Sequence, residues 1–311
     1  MFQEVIHTVK SPFRDDMHIF GFRFGRGDKA ACIVGPTRGN EIQQLYICSQ
    51  LIKELSRLEK TGAILNNNEI LVIPTLNQFS INIEKRFWAM DKSDINRMFP
   101  GDEYGETTER IAANVFEAVK GYSYGIQFAS FHTPGEFIPH VRMMDTGKQN
   151  LSLANLFGLP YVVTKKPHPF DTGTLNYCWQ MDGTNAFSVY TPMTSSIDEK
   201  SARQAVSSVL RFLTRMGIIK YNCHSGFIAT MLDEDSLMPI TSDVSGIYRP
   251  LKQPGDEVKF GDILAEIVDP IEGEVISQII SPSDGIIFFA HSKPLVIQNC
   301  TVYRMIRRLH E

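Results

Sequence analysis

The stretch AACIVGPTRGNEIQQLYICSQLIKEL, residues 30–55, reads as a strand, a turn and a helix in that order. Ala31–Val34 is an unbroken apolar run, as a strand buried on both faces requires. Gly35 and Pro36 end it. Glu41 opens a helix expected to reach Leu58, with Ile42, Leu45, Tyr46, Leu51, Ile52 and Leu55 as its apolar residues. Ligands of open α/β sheets bind beyond the carboxyl ends of strands, and Arg38 and Glu41 sit in that turn.

The same alternation extends in both directions. Glu69–Leu76, Gly125–Phe131, Pro160–Thr164 and Asn185–Tyr190 read as strands. Thr107–Lys120 and Gln149–Phe157 read as helices, and Asp198 caps a long helix through Met216. This pattern implies an α/β fold with a mostly parallel, helix-covered sheet. Near residue 222 the pattern changes. Short strands follow, separated by Gly246, Pro254-Gly255-Asp256, Gly261-Asp262 and Pro282-Ser283-Asp284-Gly285. The expected division is an α/β domain over 1–222 and a small all-β domain over 223–311, with the boundary at 220–226.

The composition narrows the functional classes. The 311 residues carry a net charge of −4, which gives no electrostatic case for nucleic acid. No apolar run approaches the roughly 20 residues of a membrane span, and the N-terminus lacks a signal-type apolar core. Five cysteines without close pairing fit reduced thiols in a cytoplasm. A homo-oligomer is compatible with the sequence.

Four polar clusters fall at strand ends: Arg38/Glu41, the segment Arg86–Arg97, His132 and Tyr190. Lys85–Asp102 holds two arginines eleven apart, with Asp94 and Asn96 beside the second. A guanidinium is a planar fork suited to carboxylates. From spacing alone, a loop held by Arg–Asp pairs fits this segment somewhat better than an anion site does. A lone His such as His132 is more often structural than ligating, but neutral imidazole facing Glu41 would be ordinary zinc chemistry.

Together these pieces resemble the succinylglutamate desuccinylase/aspartoacylase family of zinc carboxypeptidase-like hydrolases. GPTRGNE is similar to the family's Gly-x-Thr-His-Gly-Asn-Glu motif. RFWAMDKSDINRMFPGD is similar to its Arg…Asp-Leu-Asn-Arg-x-Phe-Pro-Gly segment, and FHTPG to its Asp-Leu-His-Thr segment. The β module from SGIYRP to SPSDGIIF is similar to the family's C-terminal domain and to biotinyl or lipoyl modules. Its hairpin tip, VDPIEGEV, has no lysine, so a carrier role is rejected.

The resemblance implies one zinc ion held by Glu41 and His132. It implies Arg86 polarising a scissile carbonyl, and Asn96 and Arg97 holding a substrate carboxylate. The substrate would be an N-acyl amino acid or short peptide. Three departures stand out. Arg38 occupies the place of the first zinc-binding His, Tyr190 that of the general-base glutamate, and Ser130 that of an aspartate. Arginine cannot ligate zinc. Its charge about 4 Å from a dication would cost about 8 kcal/mol at an effective dielectric of about 20. Without metal, Arg38 and Glu41 are expected to pair at i, i+3. His140, His168 and His224 are candidate replacement ligands, and Glu136 a candidate carboxylate. The function expected is an altered metal-dependent acyl hydrolase, with Arg86 and Tyr190 at the reaction centre; the alternative is a binding or regulatory protein. The binding protein would keep Asn96, Arg97 and Arg38 in a carboxylate cleft and lack the chemistry.

Overall fold

A computed structural model of the chain describes residues 1–65, 67–131 and 133–308. The strands are β1 Phe2–Val9, β2 Met17–Gly25, β3 Gly27–Val34, β4 Asn67–Ile73, β5 Tyr124–Ala129, β6 Gly135–Phe137, β7 His140–Met144, β8 Tyr161–Lys165, β9 Asn185–Tyr190 and β10 Thr230–Asp233. The C-terminal strands are β11 Met238–Thr241, β12 Gly246–Pro250, β13 Glu257–Val258, β14 Ile263–Val268, β15 Val275–Ile280, β16 Gly285–His291, β17 Leu295–Val296 and β18 Thr301–Arg307. The helices are α1 Ile42–Lys60, α2 Gln78–Ile81, α3 Thr107–Val119, α4 Leu151–Asn155, α5 Leu175–Met181 and α6 Glu199–Arg215.

The main sheet has nine strands in the order β1-β2-β4-β3-β5-β9-β7-β8-β10. Its middle is parallel, from β4 through β9, but the β1–β2 hairpin, the β2–β4 pair and the β9–β7 pair are antiparallel. The sheet is therefore mixed. The hairpin at its edge was invisible to a search for βαβ units, because a tight antiparallel return needs no crossover helix.

Helices pack on both faces, giving two buried clusters. One joins α1 and α6 through Ile47, Leu51, Leu55, Val209 and Phe212. The other gathers Trp179, Ile111, Val115 and Tyr122. Helix α1 buries Gln43 and Gln44 where apolar residues would be expected. The Gln43 amide donates to the Asp198 carbonyl and Ser201 Oγ, both at 2.9 Å, tying α1 to the start of α6. Asp198 caps α6 by accepting from the Lys200 and Ser201 N–H groups.

The C-terminal strands form two further antiparallel sheets around Leu264, Ile267, Ile287, Val302 and Met305. Strands cross the expected boundary at 220–226 in both directions. β10 pairs in parallel with β8 of the main sheet, and β6 pairs with β16 of the C-terminal unit. That exchange fixes the C-terminal unit as one wall of the cleft described below. Among the described residues no helix is long and apolar enough to cross a membrane.

Candidate active site

Strand β3 ends at Val34, and the chain turns through Gly35–Asn40 before Glu41 caps α1. The turn is pressed against its neighbours. A Cβ at Gly39 would lie 2.2 Å from the Lys85 carbonyl oxygen, so only glycine lets these segments meet. The Gly39 N–H donates to the Arg86 carbonyl at 3.2 Å, which fixes the arginine segment beside the turn.

Arg38 and Glu41 are 5% and 1% exposed. The Arg38 Nε and one terminal nitrogen donate to both oxygens of Asp94, at 3.2, 3.1 and 2.8 Å. Its other terminal nitrogen donates to Glu41 Oε1 at 3.3 Å. This is the expected i, i+3 pair, extended by a second carboxylate that sequence spacing did not assign to it. Glu41 Oε2 accepts from the Thr37 and Arg38 N–H groups at 3.0 and 3.1 Å, and Oε1 accepts from the Ser130 hydroxyl. Burial alone would lower the Arg38 pKa, but Glu41 and Asp94 outweigh it and hold the guanidinium charged.

Among the described residues, the groups around Glu41 do not fit a divalent ion. Both Glu41 oxygens are engaged by the protein, and a fixed positive charge stands against one of them. Among the described residues no three His, Cys, Asp or Glu side chains gather as a metal site. His132 lies outside the described residues. None of the other candidates joins a group of three possible ligands among the described residues. His140 is buried, its Nδ1 is 2.8 Å from the Ile138 carbonyl, and burial pushes its pKa down to about 3. His168 stacks on Phe170 at the surface, and His224 is exposed.

Tyr190 ends β9 with its ring stacked on His140, centroids 4.9 Å apart. Arg142 on β7 hydrogen-bonds Tyr190 and pairs with Glu234 from the segment after β10. Arg142 also lies over Phe131, whose ring has Arg304 on it as well, at 5.1 and 5.5 Å. Sequence reasoning missed Arg142 and Glu234. HVRMM, between two apolar positions, resembles an ordinary short strand, and Glu234 lies beyond the expected domain boundary.

Asn96 and Arg97 form a single 3-10 turn capped by Asp94. Gln127 donates to Asn96 Oδ1 at 3.0 Å, and Arg97 donates to Asp171 at 2.9 Å. Arg38, Arg97, Arg142, Lys165 and Tyr190 line an inner chamber of about 80 Å³. Two buried atoms of its lining, Arg142 Nε and Asn176 Oδ1, have no hydrogen-bond partner among the described residues. An outer cleft of about 660 Å³ is lined by Arg86, Asn40, Glu136, Thr194 and Lys293 among others, and Phe131 borders both spaces. Among the described residues no carboxylate lies within ion-pair distance of Arg86. Burial, then the Arg38 charge, lowers the Arg86 pKa, against Glu41 and Asp94.

Asp171 offers a pH test of this wall. Burial would raise its carboxyl pKa, but hydrogen bonds from Lys165, Arg97 and the His168 N–H hold it below 3.8. Its stabilising contribution is therefore complete above that value and is lost as pH falls through the depressed one. Asp171→Asn is expected to cost about 1–3 kcal/mol at neutral pH in urea unfolding. The gap from the wild type should close below pH 3.8. A gap that stays constant with pH would show that Asp171 does not act through its charge.

Residues 28–213 match the family model for the succinylglutamate desuccinylase/aspartoacylase catalytic domain. The chain is 22% identical over 261 residues to the N-alpha-acetyl-L-2,4-diaminobutyric acid deacetylase of Halomonas elongata, covering 77% of this chain and 70% of that protein. The fold is similar to a succinylglutamate desuccinylase/aspartoacylase from Rhodobacter sphaeroides, with TM-score 0.76, 19% identity, and 94% and 89% of the two chains covered. It is also similar to the product-bound ectoine utilization protein EutE (DoeB) of Ruegeria pomeroyi, with TM-score 0.78, 18% identity, and 93% and 89% covered.

Proposed function

The chain belongs to the succinylglutamate desuccinylase/aspartoacylase family, and on that premise we propose that it binds a small carboxylate in the family's cleft without hydrolysing it through a zinc-held water. The ligand class is an N-acyl amino acid or short peptide. The observation that carries this reading is the Arg38 guanidinium, buried between Glu41 and Asp94 where the family resemblance places a metal-binding His. The second loss agrees with it. Tyr190, a phenol bonded to Arg142, stands where a carboxylate base is expected, and general-base catalysis is typically worth about 10²–10⁴-fold.

Binding needs none of the missing parts. Arg86 presents a guanidinium to the outer cleft with no carboxylate within ion-pair distance among the described residues. Arg142 Nε and Asn176 Oδ1 leave a donor and an acceptor unspent in the inner chamber. The same reading takes the main sheet as zinc carboxypeptidase-like and the C-terminal sheets as a barrel-sandwich. It also takes the five free thiols as a sign of a reducing, cytoplasmic setting.

A second reading, residual deacylation, is favoured by Arg86 in the cleft, where the resemblance gives it a carbonyl-polarising role. One experiment separates the two. Thermal unfolding is followed across a panel of N-acetyl amino acids and short peptides, with amine release measured on the same samples. At least one ligand is expected to raise Tm by about 2–5 °C with no amine released, and Arg86→Ala should abolish the shift. Amine release that depends on Arg86 would favour deacylation. A panel with neither shift nor release would sink both.

A further inference from the structure

We infer that the inner chamber takes a primary carboxamide, so that the ligand of this cleft is an N-acyl amino acid of asparagine or glutamine type. This rests on the reading of the cleft as a ligand site and names the side chain that it selects. The two atoms without a partner among the described residues are of opposite kinds. Arg142 Nε is a donor. Asn176 Oδ1 is an acceptor, since the Asn176 amide nitrogen donates to Ser188 Oγ at 3.1 Å. Both residues line the chamber, and they are 9% and 3% exposed. A polar atom so buried is costly to leave unpaired. A carboxamide answers both, because its carbonyl accepts from Arg142 Nε and its NH2 donates to Asn176 Oδ1. A carboxylate offers acceptors only and would set an oxygen against Asn176 Oδ1. An ammonium would leave Arg142 Nε facing a second cation, and an apolar tip would leave both atoms unpaired.

Charge does not override this. Each cation among the described residues that line the chamber already holds a protein carboxylate. Arg38 is paired with Glu41 and Asp94, Arg97 and Lys165 with Asp171, and Arg142 with Glu234. Arg304 also reaches Glu234, but it does not line the chamber. A ligand carboxylate would compete with a buried internal pair for every one of these cations, whereas a neutral carboxamide disturbs none.

The outer cleft takes the rest of the ligand. The chamber, at about 80 Å³, is small beside the cleft of about 660 Å³, so it suits the tip of a side chain. Phe131 borders both spaces. The Gly39 N–H holds the Arg86 carbonyl next to Arg38 in the chamber wall. A ligand with its α-carboxylate at Arg86 can therefore pass its side chain by Phe131 into the chamber.

Isothermal titration calorimetry of the full chain at neutral pH tests this with two series of shape-matched probes. One holds the N-acetyl derivatives of asparagine, aspartate and leucine, the other those of glutamine, glutamate and methionine. In at least one series the carboxamide is expected to bind about tenfold or more tighter than both counterparts, and Asn176→Ala should reduce that preference to within about threefold. If the variant fails to fold, the wild-type ratios decide alone. A smaller preference in both series overturns the inference and leaves the cleft reading standing. So does a carboxylate that binds tighter, since Asn176 would then present its nitrogen and two donors would face the chamber. A preference that survives Asn176→Ala overturns it too, because that acceptor would not be reading the amide. Binding by none of the six removes the cleft reading itself, and this inference with it.

Discussion

Arg38→Met should lower the free energy of unfolding by about 3 kcal/mol, read from urea midpoints with an unchanged slope. The sign follows from what remains. Removing the guanidinium leaves Glu41, 1% exposed, and Asp94 facing each other without the cation between them. Breaking a buried pair by deleting one partner costs about 3–5 kcal/mol, because the surviving charge stays desolvated. The lower end applies here for a structural reason. Glu41 would keep the Thr37 and residue-38 N–H groups and the Ser130 hydroxyl, and Asp94 would keep the Asn96 N–H. An exposed pair gives the contrast. Arg57–Glu54, with Arg57 55% exposed, should change stability by less than about 1 kcal/mol on Arg57→Met. If Arg38→Met were as mild as Arg57→Met, the buried network would not be holding this turn.

How much of this was legible depends on the range of the signal. Strand β9 and helices α3 and α6 were readable to within a residue or so, because apolar period and caps are local. The Arg38–Glu41 pair was readable from its spacing of three, although both residues precede α1 and a turn, not a helix, sets the geometry. Asp94 as the second partner of Arg38 was not, because the two lie 56 residues apart and meet only through the close approach at Gly39. The same holds for Arg142 with Glu234, joined by a strand that returns to the main sheet after the apparent domain boundary. Nor does the N-terminal hairpin follow from the βαβ pattern. A family motif can mark which residues converge, yet it cannot tell which of them the fold has neutralised. Arg97 illustrates this, since its motif position suggests a ligand clamp while its nearest carboxylate is the protein's own Asp171.

Arg38→His should make this chain respond to zinc where the wild type does not. Without metal the variant should be destabilised much as Arg38→Met is, since imidazole replaces neither contact to Asp94. It differs in offering a neutral nitrogen beside Glu41, whose Oε1 no longer faces a cation. Zinc binding only the folded state would restore about 2.7 kcal/mol when its free concentration is 100 times Kd. Urea unfolding across a zinc titration, with metal content measured after desalting, therefore has three expected outcomes. The wild type and Arg38→Met should be unaffected and metal-poor, Arg38→His should regain stability and retain metal, and Arg38→His with Glu41→Gln should lose both responses. Equal zinc responses in Arg38→His and Arg38→Met would mean that the guanidinium is not what keeps a metal out. Stoichiometric zinc in the wild type would be more damaging, because the ion would then coexist with a fixed cation 3.3 Å from its carboxylate ligand, and the electrostatic basis of a metal-free cleft would be wrong.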